Sequence, residues 1–136
     1  MTANLIKEPL REKFQVVLLP NLYGDIITDE AAQIQGGVGT AGSANIGDRY
    51  AMFEAIHGSA PRMIAEGIGH YANPQSVIKA AEMLLRHVCL IREADILAAA
   101  LEKTTASDAK IKIDECKGAT CAEYTDYLLE ELANLI

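Results

Sequence analysis

The sequence lacks three features: a long apolar run, a cluster of basic residues and a patterned set of cysteines. No apolar stretch approaches the ~20 residues that a membrane-spanning helix needs. A formal net charge of −7, with no local Lys/Arg cluster to offset it, argues against nucleic acid as a partner because phosphate backbones would be repelled. Cys89, Cys116 and Cys121 form no CxxC pair and have no histidine at zinc spacing, which favours a reducing compartment over a disulfide or zinc framework.

The sequence also lacks internal repeats, low-complexity tracts and an apolar stretch with a cleavage site near its start, so no secretory signal is predicted. With 136 residues, 50% hydrophobic and 23% charged, the composition is that of one globular domain. Leu5, Ile6 and Leu10 recur at helical spacing from the first turn, which predicts a chain that begins inside an element.

Helical periodicity dominates the remainder of the sequence. A helix is predicted from Gly24 to Gln35, another from Arg92 to Lys103 and a last one from about Cys121. Ser76 is predicted to be the N-cap of a further helix. The faces expected to be buried are Val77, Ala80, Ala81, Leu84 and Val88 on that helix, and Tyr124, Tyr127, Leu128, Leu132 and Leu135 on the last one.

The strand signals are few. Residues 14–20 form a short apolar run closed by Pro20, which predicts a strand buried on both faces in a parallel sheet. Residues 36–48 are predicted to be a glycine-rich loop, and residues 50–56 fit either a helix or a strand. Because one buried strand cannot form a sheet alone, either its neighbours lie outside this sequence or the strand prediction is wrong.

Two aspartates follow the predicted strand in the segment Asn-Leu-Tyr-Gly-Asp-Ile-Ile-Thr-Asp, residues 21–29. Asp25 and Asp29 are four residues apart, so a helix places both carboxylates on one face. Such a pair, with room for water and substrate oxygens, suits Mg²⁺ or Mn²⁺. A spacing of four alone is more typical of a plain acidic helix N-terminus than of a metal site.

A Gly-x-Gly-x-x-Gly pattern spans Gly37 to Gly42, and Glu54 lies roughly where a ribose-binding acid is expected. This pattern binds dinucleotides only between a strand and a helix, because it directs a helix N-terminus at the pyrophosphate. Here a predicted helix precedes it and none follows at once. These glycines are therefore predicted to be loop glycines with positive φ.

The segment Phe-Glu-Ala-Ile-His-Gly-Ser-Ala-Pro covers residues 53–61, and Asn73-Pro74 follows it. Taken separately, His57 and Asn73 fit ordinary loop and turn chemistry. Taken with residues 21–29, these segments resemble the signatures of the isocitrate/isopropylmalate (β-decarboxylating) dehydrogenase family. The resemblance extends from about residue 5 to the final helix, and residues 42–47, Gly-Ser-Ala-Asn-Ile-Gly, are closer to the isocitrate enzymes than to the isopropylmalate enzymes.

The resemblance implies an α/β fold: the C-terminal part of the large domain of an isopropylmalate-dehydrogenase-like protein, helix-rich and with few strands. It implies one incomplete domain over residues 1–136, with a metal motif at 21–29, a cofactor loop at 53–74 and C-terminal helices at 76–136. It assigns Asp25 and Asp29 to the metal and places no catalytic residue in this chain. The cofactor-binding residues that it implies are Glu54, His57, Gly58, Ser59, Ala60, Arg62 and Asn73.

The implied reaction is metal-dependent oxidative decarboxylation of a 2-hydroxy acid, with isocitrate favoured over homoisocitrate and 3-isopropylmalate. The chain alone is expected to be inactive, and a non-catalytic regulatory subunit is the alternative. The expected cofactors are Mg²⁺ or Mn²⁺ and NAD, with NADP second, because residues 101–121 contain no Tyr or Arg to complete a 2′-phosphate site. A small-molecule substrate, a homodimer and a cytoplasmic location, or the mitochondrial matrix in a eukaryote, complete the expectations.

Overall fold

The computed structural model describes residues 5, 7–35, 37–106, 108–113 and 118–136. These residues form two compact units that divide after Gly37. Within the described residues there are five α-helices, two strands and three short 3-10 helices. This is the helix-rich α/β arrangement with few strands that the sequence predicts. The element predicted at the start of the sequence lies partly outside the described residues, which include residues 5 and 7–10 of the first ten.

The first unit contains a 3-10 helix, Leu10–Lys13, and helix α1, Asn21–Gln35. α1 begins three residues before the predicted start, and the backbone N–H of Gly24 donates to the carbonyl of Pro20 over 2.9 Å. The strand predicted at residues 14–20 is wrong, since this stretch has no regular secondary structure. Val16 and Leu18 are 85% and 92% exposed. An extended apolar segment becomes a strand only when a neighbour pairs with its backbone, and the two described strands pair with each other.

The second unit begins with a 3-10 helix, Val38–Thr40, and an antiparallel hairpin of β1, Gly42–Ile46, and β2, Ala51–Ala55. Gly42 lies opposite Ala55 and Ile46 opposite Ala51. The predicted loop at 36–48 therefore contains a strand, and the undetermined segment 50–56 contains its partner. At the hairpin turn, the N–H of Gly47 donates to the carbonyl of Tyr50 over 2.9 Å.

Glycine at position 42 serves close packing. A Cβ there would lie 2.7 Å from the backbone nitrogen of Ala80 and 3.0 Å from its Cα, in the helix that packs on the hairpin. The prediction of positive φ is confirmed for Gly37, at 106°, but neither Gly39 nor Gly42 is in that region. Their lack of a side chain lets other parts of the chain approach closely.

Two short helical segments connect the hairpin to the longer helices. Helix α2, Pro61–Ala65, begins at the proline that ends the segment 53–61, and a 3-10 helix, Gly69–Tyr71, follows it. Helix α3, Gln75–His87, then packs against both strands of the hairpin.

Ser76 is not the N-cap of α3, contrary to the sequence prediction, because Pro74 occupies that position. The Ser76 side chain is fully buried. Its hydroxyl donates a short hydrogen bond to the carbonyl of Ala41 and accepts one from the N–H of Ile56 over 3.2 Å. Because Ala41 precedes β1 and Ile56 follows β2, this one hydroxyl holds the open end of the hairpin to the first turn of α3.

The predicted buried face of α3 is only partly buried. Ala80 is enclosed, whereas Val77, Leu84 and Val88 are exposed. The helix approaches the hairpin through its small residues, because Gly42 and Ala80 allow close contact between backbones.

The core of the second unit lies between helix α4, Ile91–Thr105, and helix α5, Cys121–Ala133. Ala100, Leu101 and Leu128 form its centre. α4 lies within two residues of its predicted bounds and α5 begins at its predicted start. The predicted face of α5 is confirmed: Tyr124, Tyr127 and Leu128 are buried, and Leu132 and Leu135 pack against the core. A capping box starts α5, in which Thr120 and Glu123 exchange side-chain-to-backbone hydrogen bonds. In the part of the chain that the structure describes, no helix is long and apolar enough to cross a membrane.

Candidate functional site

The two predicted metal ligands lie on α1. Asp25 and Asp29 are one helical turn apart on one face, and both are exposed. The segment is helical from Asn21, so Gly24 and Asp25 lie inside the first two turns. Between the two aspartates, Thr28 Oγ1 donates to the carbonyls of Gly24 and Asp25 over 2.9 Å and 3.1 Å.

The donor chemistry of this pair fits a hard divalent cation, since Mg²⁺ and Mn²⁺ prefer carboxylate oxygens and keep several water or substrate ligands. Among the described residues, no cluster of three or more His, Cys, Asp or Glu side chains could hold a metal. The pair therefore fits as part of a ligand set. Asp25 and Asp29 would supply two anionic oxygens, and the other ligand positions would fall to water and substrate.

The His57 loop follows β2 directly and is exposed. His57 Nδ1 lies 3.0 Å from the carbonyl oxygen of Gly58. Because a carbonyl only accepts, Nδ1 carries the proton in this contact, and in the neutral ring Nε2 is then an acceptor. A Cβ on Gly58 would meet nothing within 4 Å. Among the described residues, Gly58 is therefore not required for packing, and open space lies in front of its backbone.

Ala60 and Arg62 lie at the start of α2. Ala60 adopts a left-handed conformation, with φ 45°, and its carbonyl accepts from the N–H of Met63 over 3.0 Å. Ser59 and Ala60 are both exposed. The Arg62 side chain is 86% exposed, and its Nε donates to Glu66 Oε1 over 2.7 Å. The Arg62 guanidinium is thus already paired with the C-cap residue of its own helix.

Asn73 is half-buried at the start of α3, beside glycine 39. Its Oδ1 accepts from the backbone N–H of Gln75 over 2.9 Å, and its Nδ2 donates to Gln75 Oε1 over 3.2 Å. A Cβ on Gly39 would lie 3.0 Å from Asn73 Nδ2. The lack of a side chain at Gly39 thus leaves room for the Asn73 amide.

Glu54 is in β2, opposite Ser43, and its Oε1 accepts from Asn45 Nδ2 over 3.0 Å. The structure thus keeps His57, Gly58, Ser59 and Ala60 in one continuous loop, with Glu54 on the strand that leads into it. Among the described residues, no hydrogen bond joins Asn73 to that loop. Gln75, which holds the Asn73 amide, was not predicted as a site residue. The sequence feature that could have identified it is a polar side chain at the start of a predicted helix.

The helix-rich α/β fold carries both sequence motifs on which the family resemblance rests, the paired aspartates on α1 and the glycine-containing loop after β2. The family model described as isocitrate/isopropylmalate dehydrogenase matches residues 1–128. The chain belongs to this family.

Curated relatives come from several branches of the family. The isocitrate dehydrogenase [NADP] of Rickettsia prowazekii is 50% identical over 103 residues, which cover 76% of this chain and 20% of that protein. The 3-isopropylmalate dehydrogenase of Methanothermobacter thermautotrophicus is 44% identical over 102 residues, covering 75% of this chain and 30% of that protein. A mitochondrial regulatory subunit of the isocitrate dehydrogenase [NAD] of Dictyostelium discoideum is 38% identical over 130 residues, covering 94% of this chain and 35% of that protein.

Solved structures show the same fold. The TT0538 protein of Thermus thermophilus matches with a TM-score of 0.83 at 35% identity, covering 96% of this chain and 26% of that chain. The isocitrate dehydrogenase of Methylococcus capsulatus matches with a TM-score of 0.79 at 32% identity, covering 96% of this chain and 38% of that chain. The chain therefore spans between a fifth and two fifths of the length of these proteins.

Proposed function

We propose that this chain contributes metal and cofactor ligands to a dehydrogenase that oxidatively decarboxylates a 2-hydroxy acid, with isocitrate as the substrate. The observation that supports it most is the Asp25/Asp29 pair on one exposed face of α1, within a family motif. The isocitrate assignment rests on residues 42–47 and on the isocitrate dehydrogenases among the relatives. Isopropylmalate and homoisocitrate are the competing substrates, since dehydrogenases named for both also match.

In this proposal Asp25 and Asp29 hold Mg²⁺ or Mn²⁺. A bound divalent cation would lower the pKa of the substrate hydroxyl and stabilise the negative charge that loss of carbon dioxide leaves on the substrate. The part of this chain is to supply two charged oxygens and to keep them one turn apart on a helix. No residue of this chain is assigned to proton transfer.

The test is metal binding by the intact native protein, measured by titration with Mn²⁺. Asp25→Asn and Asp29→Asn should each weaken binding at least about tenfold, because each removes an anionic ligand from a site with few others. Glu30→Gln is the matched control: it removes the same charge from an exposed neighbour on the same helix. Equal Mn²⁺ affinity in all three variants would mean that Asp25 and Asp29 are ordinary acidic residues near a helix N-terminus and do not bind the metal.

The second half of the proposal assigns the His57 loop and Asn73 to the adenosine half of a nicotinamide cofactor. The loop is exposed, and the space in front of Gly58 leaves its backbone accessible to a ligand. Gly58→Ala should then weaken cofactor binding while leaving the free energy of unfolding within about 0.5 kcal/mol, because the added methyl meets no protein atom. Unchanged cofactor affinity in Gly58→Ala would contradict a close approach at this position.

NAD is the proposed cofactor, although the Rickettsia relatives carry NADP in their names. Arg62 is paired with Glu66 and mostly exposed. An additional exposed ion pair to a 2′-phosphate contributes about 0–1 kcal/mol. The test compares kcat/KM for both cofactors in the wild type and in Arg62→Asp. A wild-type preference for NADP above about tenfold, or ~1.4 kcal/mol, would make Arg62 the phosphate-binding residue.

A regulatory subunit of the same fold is the second candidate, because the Dictyostelium relative of that name matches 94% of this chain. The intact Asp25/Asp29 pair favours the catalytic alternative, since a subunit without chemistry has no need of both ligands. Metal-dependent turnover of isocitrate by the intact protein distinguishes the two. A homodimer and a cytoplasmic or matrix location belong to the same proposal, and gel filtration of the intact protein tests the dimer.

A further inference from the structure

A continuous line of hydrogen bonds leads from Asn73 into the core between α4 and α5. Asn73 Nδ2 donates to Gln75 Oε1, and Gln75 Nε2 donates to the Tyr124 hydroxyl over 3.1 Å. The Tyr124 hydroxyl lies 2.7 Å from Thr104 Oγ1, which donates to the carbonyl of Leu101 over 3.0 Å. Gln75, Tyr124 and Thr104 are all buried, and Tyr124 is 0% exposed.

The direction of this line follows from its inner end. The Leu101 carbonyl can only accept, and it accepts from the Thr104 hydroxyl over 3.0 Å and from the Thr105 hydroxyl over 2.8 Å. Because the Thr104 hydroxyl has one proton and donates it to this carbonyl, Thr104 Oγ1 accepts from the Tyr124 hydroxyl, and the Tyr124 oxygen accepts from Gln75 Nε2. Because Nε2 of Gln75 points inward, its Oε1 points towards Asn73.

The outer end of the line fixes the amide of Asn73. Gln75 Oε1 selects Nδ2, and the backbone N–H of Gln75 selects Oδ1, so the two contacts specify the same orientation. Gly39 approaches Nδ2 from another side. An amide has two N–H protons, and among the described residues only one contact of Nδ2 is a hydrogen bond, so a second donor is directed away from Gln75.

We propose that Gln75, Tyr124 and Thr104 are positioning residues that set the donor and acceptor ends of the Asn73 amide for the adenine of the cofactor. This inference rests on the proposed function, in which Asn73 contacts adenine. Adenine presents acceptor nitrogens beside a donor amino group. An inverted Asn73 amide would therefore place donor against donor and acceptor against acceptor. None of the three residues needs to touch the cofactor.

Thr104 provides the sharpest test because it is separated from Asn73 by two side chains. Thr104→Val keeps the shape but removes the acceptor, so the Tyr124 proton turns to the remaining neighbour, Gln75. Gln75 must then present Oε1 inward and Nε2 outward, and Nε2 faces the Nδ2 of Asn73, donor against donor. Thr104→Ser keeps the hydroxyl and should preserve the wild-type orientation.

The measurement is calorimetric binding of AMP and of nicotinamide mononucleotide to the intact protein. Thr104→Val and Tyr124→Phe should weaken AMP about three- to tenfold, with nicotinamide mononucleotide unchanged and Thr104→Ser like the wild type. Far-UV circular dichroism checks that each variant is folded. If Tyr124→Phe does not fold, the two variants at Thr104 decide alone. Thr104→Val replaces the hydroxyl with a methyl at nearly constant volume, whereas Thr104→Ser keeps the hydroxyl.

The reference variant is Asn73→Ala. If it weakens AMP but Thr104→Val does not, the positioning proposal is wrong and the cofactor site stands. If Asn73→Ala leaves AMP binding unchanged, the proposed cofactor role of Asn73 fails and this inference fails with it. Weakening of both ligands alike in Thr104→Val would indicate general loosening of α3 against the core, and it would also refute a role specific to adenine.

Discussion

Glu82 tests how much a buried carboxylate contributes to the packing of α3 on α4. Its side chain is 4% exposed and lies 2.8 Å from Lys79 Nζ, with a second, shorter contact to Arg86 Nε. Arg86 also reaches Asp95 on α4, with Nη2 2.9 Å from Oδ1. Burial tends to raise the pKa of Glu82, but the hydrogen bonds and charges of Lys79 and Arg86 outweigh it and hold that pKa below its ordinary value.

Glu82→Gln removes the charge at nearly constant volume. Hydrogen bonds to charged groups contribute about 1.5–3 kcal/mol each. The substitution should cost less than two such bonds, because Gln keeps an acceptor and the two cations, each more than two fifths exposed, regain hydration. The expected loss at neutral pH is about 1–3 kcal/mol in the free energy of unfolding, measured by urea unfolding with circular dichroism.

The lowered pKa of Glu82 fixes the sign with which pH changes the free energy of unfolding. A pKa that is lower in the folded state means that folding favours the ionised form of Glu82. This stabilisation is present above the unfolded pKa, ordinarily 4.5, and is lost as pH falls through the folded pKa. The difference between wild type and Glu82→Gln should therefore shrink below about pH 4.5. Glu102→Gln, an exposed acid on α4, is the control and should change little at any pH. A difference that stays constant from pH 7 to acid would refute the ion-pair account.

Three further perturbations address packing, cofactor choice and helix capping. Gly42→Ala should destabilise the protein by about 1–3 kcal/mol in urea unfolding, because its Cβ would lie 2.7 Å from the backbone nitrogen of Ala80; an effect below about 0.5 kcal/mol would show that β1 and α3 separate easily. Glu66→Gln should raise the ratio of NADP to NAD in kcat/KM by releasing Arg62, and an unchanged ratio would place Arg62 away from the ribose. Thr120→Ala should cost about 1 kcal/mol in urea unfolding by removing the N-cap of α5, and a neutral result would contradict the capping box.

The sequence predicts the long helices well, because their signal is local. Apolar residues at intervals of three and four identify α4 and α5; α4 lies within two residues of its predicted bounds, and α5 begins at its predicted start. The strands are predicted poorly because a strand depends on a partner that local sequence does not specify. The run at 14–20 has strand composition and no partner among the described strands, whereas β1 is hidden in a glycine-rich segment.

The candidate site divides in the same way. Each of the motifs at 21–29 and 53–61 is an uninterrupted stretch of sequence, so the sequence alone identifies Asp25, Asp29 and His57 as candidates. The hydrogen bonds that lead from Asn73 to Tyr124 could not be predicted from the sequence, because Tyr124 is 49 residues away from Gln75 along the chain. No spacing rule links such residues, and only the packed helices bring them together.

The attachment of Ser76 to both strands at the open end of the hairpin also determines how this part of the molecule responds to insertion. The open end, at Ala41 and Ile56, is fixed by one buried hydroxyl, whereas the turn at residues 47–50 is exposed. A fluorophore or short peptide placed in that turn adds its bulk in solvent, at the end of the strands opposite His57. The turn is therefore the natural position for a reporter that leaves the loop after β2 in register, and lengthening the chain at position 56 would displace that loop directly.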